Sequence, residues 1–268
     1  MAPGVRTMGL GLDEVQRLVA TVGRAPSLYN SQPWAVRLHA DRIELLADRS
    51  RQLHATDPQG RHLRLAVGAA LFNLTVALAR LGIRPLVTLL PDRSDPDLLA
   101  VVRHGGTIPV SAQALSLSDA AARWATHRTA FTTARVTEQD RNALRRAALA
   151  DGAWLGLIED AEQQTVLAQL AVQARREQLG VPGVAAEVAR WAASEPTGHD
   201  GGRPPLFGVL SAHQQGGAAE VRTGQALQRV LLTATGRGLV VSFISELVTV
   251  PEARERLRRC LHLTREPA

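Results

Sequence analysis

Two stretches of this chain read as long helices and set the frame for everything between them. Residues 62–81 (HLRLAVGAALFNLTVALARL) are strongly apolar with small residues on one side, and Gly82 follows where a helix ends in a left-handed residue. Residues 68–83 (GAALFNLTVALARLGI) and 224–239 (GQALQRVLLTATGRGL) match when superimposed. The leading glycine, the third-position alanine, the leucine after it, the closing glycine and most apolar positions coincide. Each stretch reads as a small-residue helix running through glycine into a strand. Either the chain contains a duplicated α+β unit, the leading architecture, or two buried helices rich in Ala and Leu look alike by composition.

The cationic side chains exclude whole chemistries. Among 268 residues there are 31 cations and no lysine, so all 31 are arginine. Schiff-base catalysis, a pyridoxal aldimine and a P-loop lysine all need a primary amine this chain lacks. Any bound phosphate must be met by arginine, backbone N–H groups or hydroxyls. The net charge of +6 comes from scattered arginines, with no stripe and no aromatic-interleaved patch, so no nucleic-acid partner is expected. One cysteine rules out an intrachain disulfide and a Cys-based metal centre. No apolar run is read as long enough for a bilayer span and the N-terminus shows no secretion signal, so no membrane role and a cytoplasmic location are expected.

Along the chain, residues 13–22 read as a first helix with Asp13 as its N-cap, and residues 34–47 as a hairpin. A strand is expected over 83–90, then a turn and a short helix within 91–102. The second half begins near Ser118 with a helix. Another starts at Thr137, whose spacing to Asp140 is that of a capping box. A strand at 154–158 follows, then helices over 160–179 and 182–193 and a Gly/Pro-rich loop at 194–205. Strands are expected at 206–211 and 239–244, with helices at 220–237 and 251–259, the last with proline at its first position.

The usual catalytic signatures fail. GLGLDE (residues 9–14) lacks the third glycine and the preceding strand of a dinucleotide loop, and no G-x-S-x-G, H-E-x-x-H or P-loop occurs. The eight histidines show no paired ligand spacing. The segment APSLYNSQPW (residues 25–34) differs. It groups Ser27, Asn30, Gln32 and Trp34 in a proline-bounded loop that could present polar groups to a planar ligand without an ordering cost at binding. The competing reading is a structural turn in which Ser27 and Asn30 bond their own backbone.

APSLYNSQPW resembles the signature loop of the FMN-dependent nitroreductase superfamily. The continuation ADRSRQLHATDPQGRHLRLAVGAALFNLTVALARLG resembles its actinobacterial Acg-type branch. HRTAF (residues 127–131) is similar to the family's Arg-rich phosphate segment, and TGQALQRVLLTATGRGLVVSFISELVTVPEARERLRR to its C-terminal core helix and strand.

The resemblance implies an α+β nitroreductase-like fold in which two similar halves, residues 1–117 and 118–268, are fused around antiparallel or mixed sheets and central helices. The first half carries the loop and the second the phosphate segment, so one flavin site between them is implied. Matched position by position, Pro26, Ser27, Leu28 and Asn30 contact flavin, with Gln32 supporting the loop. His127, Arg128 and Thr129 meet the phosphate, and Ser242, Phe243, Ile244 and Ser245 lie where backbone N–H approaches the flavin ring. The implied cofactor is FMN with NAD(P)H as electron donor, the partner a small organic substrate, and no side chain need serve as acid or base. The alternative implied is a flavin-sequestering protein or a member without FMN. Against the family pattern, HRTAF is short and lacks a second cation directly after it, which implies weaker phosphate binding unless Arg135 or another arginine substitutes; residues 191–205 are abbreviated, and a final strand is not seen. The short cover implies a more open site; the fused halves imply a monomer, while the missing strand would leave an open sheet edge for a homodimer.

Overall fold

The computed structural model describes residues 6–127, 131, 135–191, 205–212, 214–262 and 267–268. The two long helices form its centre: α2 (Arg61–Arg80) and α7 (Gly217–Gly236), 20 residues each. Arg64 pairs with Glu220, a sequence separation of 156. Gly68 faces Gly224. One turn further, Asn73 accepts from the Gln228 amide at 2.8 Å, and the Arg229 guanidinium lies 4.7 Å from the centre of the Phe72 ring. Shifting by the same 156 residues exchanges Phe72 with Gln228 and Asn73 with Arg229, so each of these contacts is the counterpart of the other. The helices therefore run side by side, in the same direction and in register. Their close approach is set by glycine, because a Cβ on Gly68 would fall within the van der Waals envelope of the Val221 carbonyl, and one on Gly224 within that of the Leu65 carbonyl.

Both helices end the same way. Gly82 (φ 73°) and Gly238 (φ 75°) take the left-handed conformation that closes a helix at little cost in glycine. By length and hydropathy α2 could cross a membrane, contrary to the sequence expectation, but 78% of its apolar window is buried inside the fold. Asn73 is fully buried and also donates to the Thr21 carbonyl of α1 (Leu12–Val22), joining three helices through one carboxamide.

The order of elements before α2, a helix and two antiparallel strands, occurs again before α7. Before α2 come α1 and the hairpin β1 (Trp34–Leu38) and β2 (Arg42–Ala47); after it come β3 (Ile83–Leu89) and β4 (Leu98–Thr107). The sheet is antiparallel throughout, ordered β1-β2-β4-β3. The helix α3 (Ala112–Arg123) leads to the second set, α4 (Glu138–Ala150) and β5 (Ala153–Ile158) antiparallel to β6 (Phe207–Ala212), then α7. Between β5 and β6 are inserted α5 (Ala161–Leu179) and α6 (Val184–Trp191), and α8 (Glu246–Thr249) and α9 (Pro251–Cys260) follow α7. At the other edge of β6, Ser211 bridges Pro267 and Ala268 donates to the Leu210 carbonyl.

Four expectations are revised. Residues 98–107 form β4 rather than a turn and short helix. Leu99 to Val102 are buried in succession, so both faces of the strand are covered and the alternation that marks strands is lost. Residues 239–244 carry no regular secondary structure and form no ladder among the described residues. The helix expected from Ser118 begins at Ala112. Gly11, not Asp13, caps α1, its N–H donating to the Glu14 carboxylate. The Thr137–Asp140 capping box and the proline at the start of α9 occur as expected.

Candidate functional site

The loop at residues 25–33 is held by its own polar groups. Ser27 Oγ accepts from the Gln32 N–H at 2.9 Å, and the Gln32 carboxamide donates to the Gly23 carbonyl at 2.7 Å. Arg51 donates to the Ser31 carbonyl at 3.1 Å. These bonds impose an unusual backbone: Tyr29 (φ 52°), Asn30 (φ 58°) and Gln32 (φ 48°) all take the left-handed conformation, uncommon for a non-glycine residue and least so for asparagine. The structural-turn reading therefore holds for Ser27 but not for Asn30. The Asn30 side chain is exposed and has no partner among the described residues. Pro26 and Leu28 are half-buried, and Leu28 lines a small cavity with Ser31, Asp57 and His62.

Three segments distant in sequence converge on this loop. Just before it, Arg24 donates to the carbonyls of Ala121 and Trp124, at the end of α3. Three residues on, the His127 N–H donates to the Val241 carbonyl at 2.8 Å, and the His127 ring tilts against Phe131 with centroids 5.0 Å apart. From the loop itself, the Tyr29 hydroxyl donates to Gln178 Oε1 at 3.2 Å. The Gln178 amide donates to Thr249 Oγ1 at 2.7 Å, and that hydroxyl donates to the Ser245 carbonyl at 3.1 Å. Of the residues singled out in the sequence, Ser27, Asn30, Gln32, His127 and Ser242 to Ser245 are thus linked by short chains of contacts. Arg128 and Thr129 lie outside the described residues.

The stretch from Ser242 to Ser245 has a further property. Among the described residues its backbone N–H groups find no acceptor, and Phe243 is exposed. A run of open donors suits a ligand with acceptor atoms along one edge.

Burial shifts the titration of three groups here. Burial first, then the carboxylates of Glu246 and Glu187, pushes the Tyr29 phenol up to about 12, so it remains a donor at any ordinary pH. Burial, with Arg61 and Arg254 adding repulsion, pushes His62 down to about 3, which keeps it neutral. Asp57 accepts from the Leu63 N–H at 2.9 Å at the start of α2, and burial raises its pKa.

The sequence reading missed Tyr29, Gln178, Thr249 and Glu187. Glu187 of α6 accepts from the N–H groups of Ala55 and Thr56 and from the Thr56 hydroxyl, fastening α6 beside the loop. Only Tyr29 carried a visible signal, as a phenol inside the loop that needs a partner once buried.

No family model matches the chain. Similarity to individual proteins is extensive. A Mycobacterium tuberculosis H37Rv protein named NAD(P)H nitroreductase Rv3131 is 30% identical over 278 residues, covering 91% of this chain and 80% of the relative. The chain belongs to the NAD(P)H nitroreductase family. The NAD(P)H nitroreductase named acg from the same organism is 27% identical over 276 residues, 91% of this chain and 83% of its own length, which assigns the chain to the Acg-type branch. An uncharacterized mycobacterial protein, Rv3127, is 26% identical over a similar span, with 81% of its own length covered.

Proposed function

We propose that this nitroreductase-family chain is an FMN-dependent oxidoreductase that moves electrons between NAD(P)H and a small organic molecule. Its single flavin site would be composed from two similar halves, residues 1–117 and 118–268, with the division falling inside the connecting helix α3. The observation that carries this reading is the convergence of the 25–33 loop, His127 and the open N–H run from Ser242 to Ser245. The recurrence of α1–β1–β2–α2 as α4–β5–β6–α7 supports the two-half reading. We assign the protein to the cytoplasm, as a monomer whose halves replace the subunits of a dimer or as a homodimer of such chains.

The residues fit flavin in their donor chemistry. Asn30 offers both a donor and an acceptor to the edge of a planar ring, and the 242–245 backbone offers N–H groups to ring acceptors. Ser27 and Gln32 hold the loop in shape, leaving the Ser27 O–H free to donate toward the ligand. With no lysine in the chain, the phosphate falls to guanidinium groups, Arg128 first, with the exposed Arg135 as the second candidate. Bound FMN would supply hydride acceptance from NAD(P)H and electron delivery to a second substrate. The protein's part is to bind, orient and open one face of the ring, so no side chain is assigned as a general acid or base.

Titration of flavin-free protein with FMN tests the composite site. Asn30→Ala should weaken binding about tenfold, the cost of one or two hydrogen bonds, and Arg128→Ala more, about fiftyfold, because a charged phosphate contact is lost. Unchanged affinity in Arg128→Ala would overturn the phosphate assignment; unchanged affinity in Asn30→Ala would overturn the loop assignment.

A further inference from the structure

We propose that Gln178, at the end of the inserted helix α5, is a positioning residue for the flavin loop. Its carboxamide clamps Tyr29 to the segment that ends at Ser245. The inference rests on the flavin reading above and names the device that sets its geometry.

Three observations carry it. Gln178 is buried, and both ends of its carboxamide are used. Its oxygen accepts from Tyr29 of the loop and its nitrogen donates to Thr249 of α8, which in turn donates to the Ser245 carbonyl. One side chain therefore connects the loop to α8, the helix that Ser245 precedes. Tyr29 and Asn30 are adjacent and both left-handed, a conformation a tyrosine does not hold unaided. The Tyr29 hydroxyl bond, to a residue 149 positions away in sequence, fixes that conformation, and Asn30 inherits its direction from it. The clamp is also permanent with respect to pH, because Tyr29 stays protonated until about 12. Neighbouring contacts reinforce α5 and α6 against the same loop: Glu187 holds residues 55–56, and the Arg51 guanidinium, which also binds the Ser31 carbonyl, lies 5.5 Å from the Trp191 ring centre.

The test uses the full chain. FMN dissociation constants are measured for wild type, Tyr29→Phe, Gln178→Ala and the double variant, together with the visible circular dichroism of bound flavin and the melting temperature of the flavin-free protein. Tyr29→Phe should raise the dissociation constant about tenfold and Gln178→Ala by at least as much. In the Gln178→Ala background the tyrosine substitution should then change it by less than about twofold, because the two act through one bond. The flavin dichroism should lose intensity in both single variants. Gln173→Ala, which removes a contact to Glu177 on the same helix, should leave affinity unchanged. If Gln178→Ala fails to fold, Tyr29→Phe still decides the matter, since it deletes one oxygen and leaves the packing ring in place. Wild-type affinity in Tyr29→Phe, or effects of the two substitutions that simply add, would overturn the clamp. A wild-type protein that takes up no FMN would overturn the flavin reading, and the clamp with it.

Discussion

Gly68→Ala is expected to destabilise the protein by about 3 kcal/mol or more, a large effect for one added methyl group. The added Cβ would press on the Val221 carbonyl and stand 3.0 Å from the Gly224 Cα, and backbone atoms of a packed helix cannot swing aside as a side-chain tip can. The helices must separate, and separation opens voids along both central helices, around the fully buried Val67, Leu71, Leu74 and Leu232. Gly224→Ala should cost a similar amount, since its Cβ meets the Leu65 carbonyl in the corresponding way. The double variant should cost clearly less than the sum, because the first substitution already moves the helices that the second would push apart. Denaturant unfolding of the three variants measures this. Additive effects, or a mild effect at either glycine, would show that the helices do not cross where the structure has them.

The second large effect is spectroscopic. Tyr29 is the chain's one tyrosine and there is no lysine, so no other phenol or amine side chain titrates in the alkaline range and tyrosinate absorbance reports this residue alone. Its midpoint should lie near 12 in the folded protein, against the ordinary value of 10.0. The direction of the stability change follows. The unfolded chain releases this proton first, so the contribution is fully present below pH 10 and is lost as pH rises from 10 through about 12. Tyr29→Phe should remove the part of the alkaline destabilisation that belongs to this group. A midpoint at 10 in the folded protein would mean that the hydroxyl faces water rather than Gln178.

Local rules carried the sequence reading where the cause of a structure is local. The capping box at Thr137 and Asp140 is a matter of three residues, and the glycines after α2 and α7 terminate them by the same left-handed turn. The two stretches matched in the sequence, residues 68–83 and 224–239, lie on facing helices, where Gly68 faces Gly224 and the pairs around them are exchanged by one shift of 156. Where tertiary context decides, the reading failed. The 98–102 stretch is apolar on both faces, with Leu99 to Val102 buried in succession, and without alternation a strand and a short helix look the same. Residues 239–244 have the composition of a strand but no ladder partner among the described residues. The candidate site divides the same way. Its loop was visible as a motif, including the support Gln32 gives through Gly23. Its clamp was not, because nothing near Gln178 announces a partner at Tyr29. Nor does anything near residues 55–56 announce Glu187, whose sequence separation from Thr56 is 131.

The central claim, one composite flavin site in one chain, is tested most directly by the visible spectrum of purified protein titrated with FMN and then treated with NAD(P)H without oxygen. The account predicts saturation at one FMN per chain, flavin absorption that survives removal of free cofactor, and bleaching on addition of NAD(P)H. A protein that gains no flavin absorption, or that binds two FMN per chain with equal affinity, would contradict it.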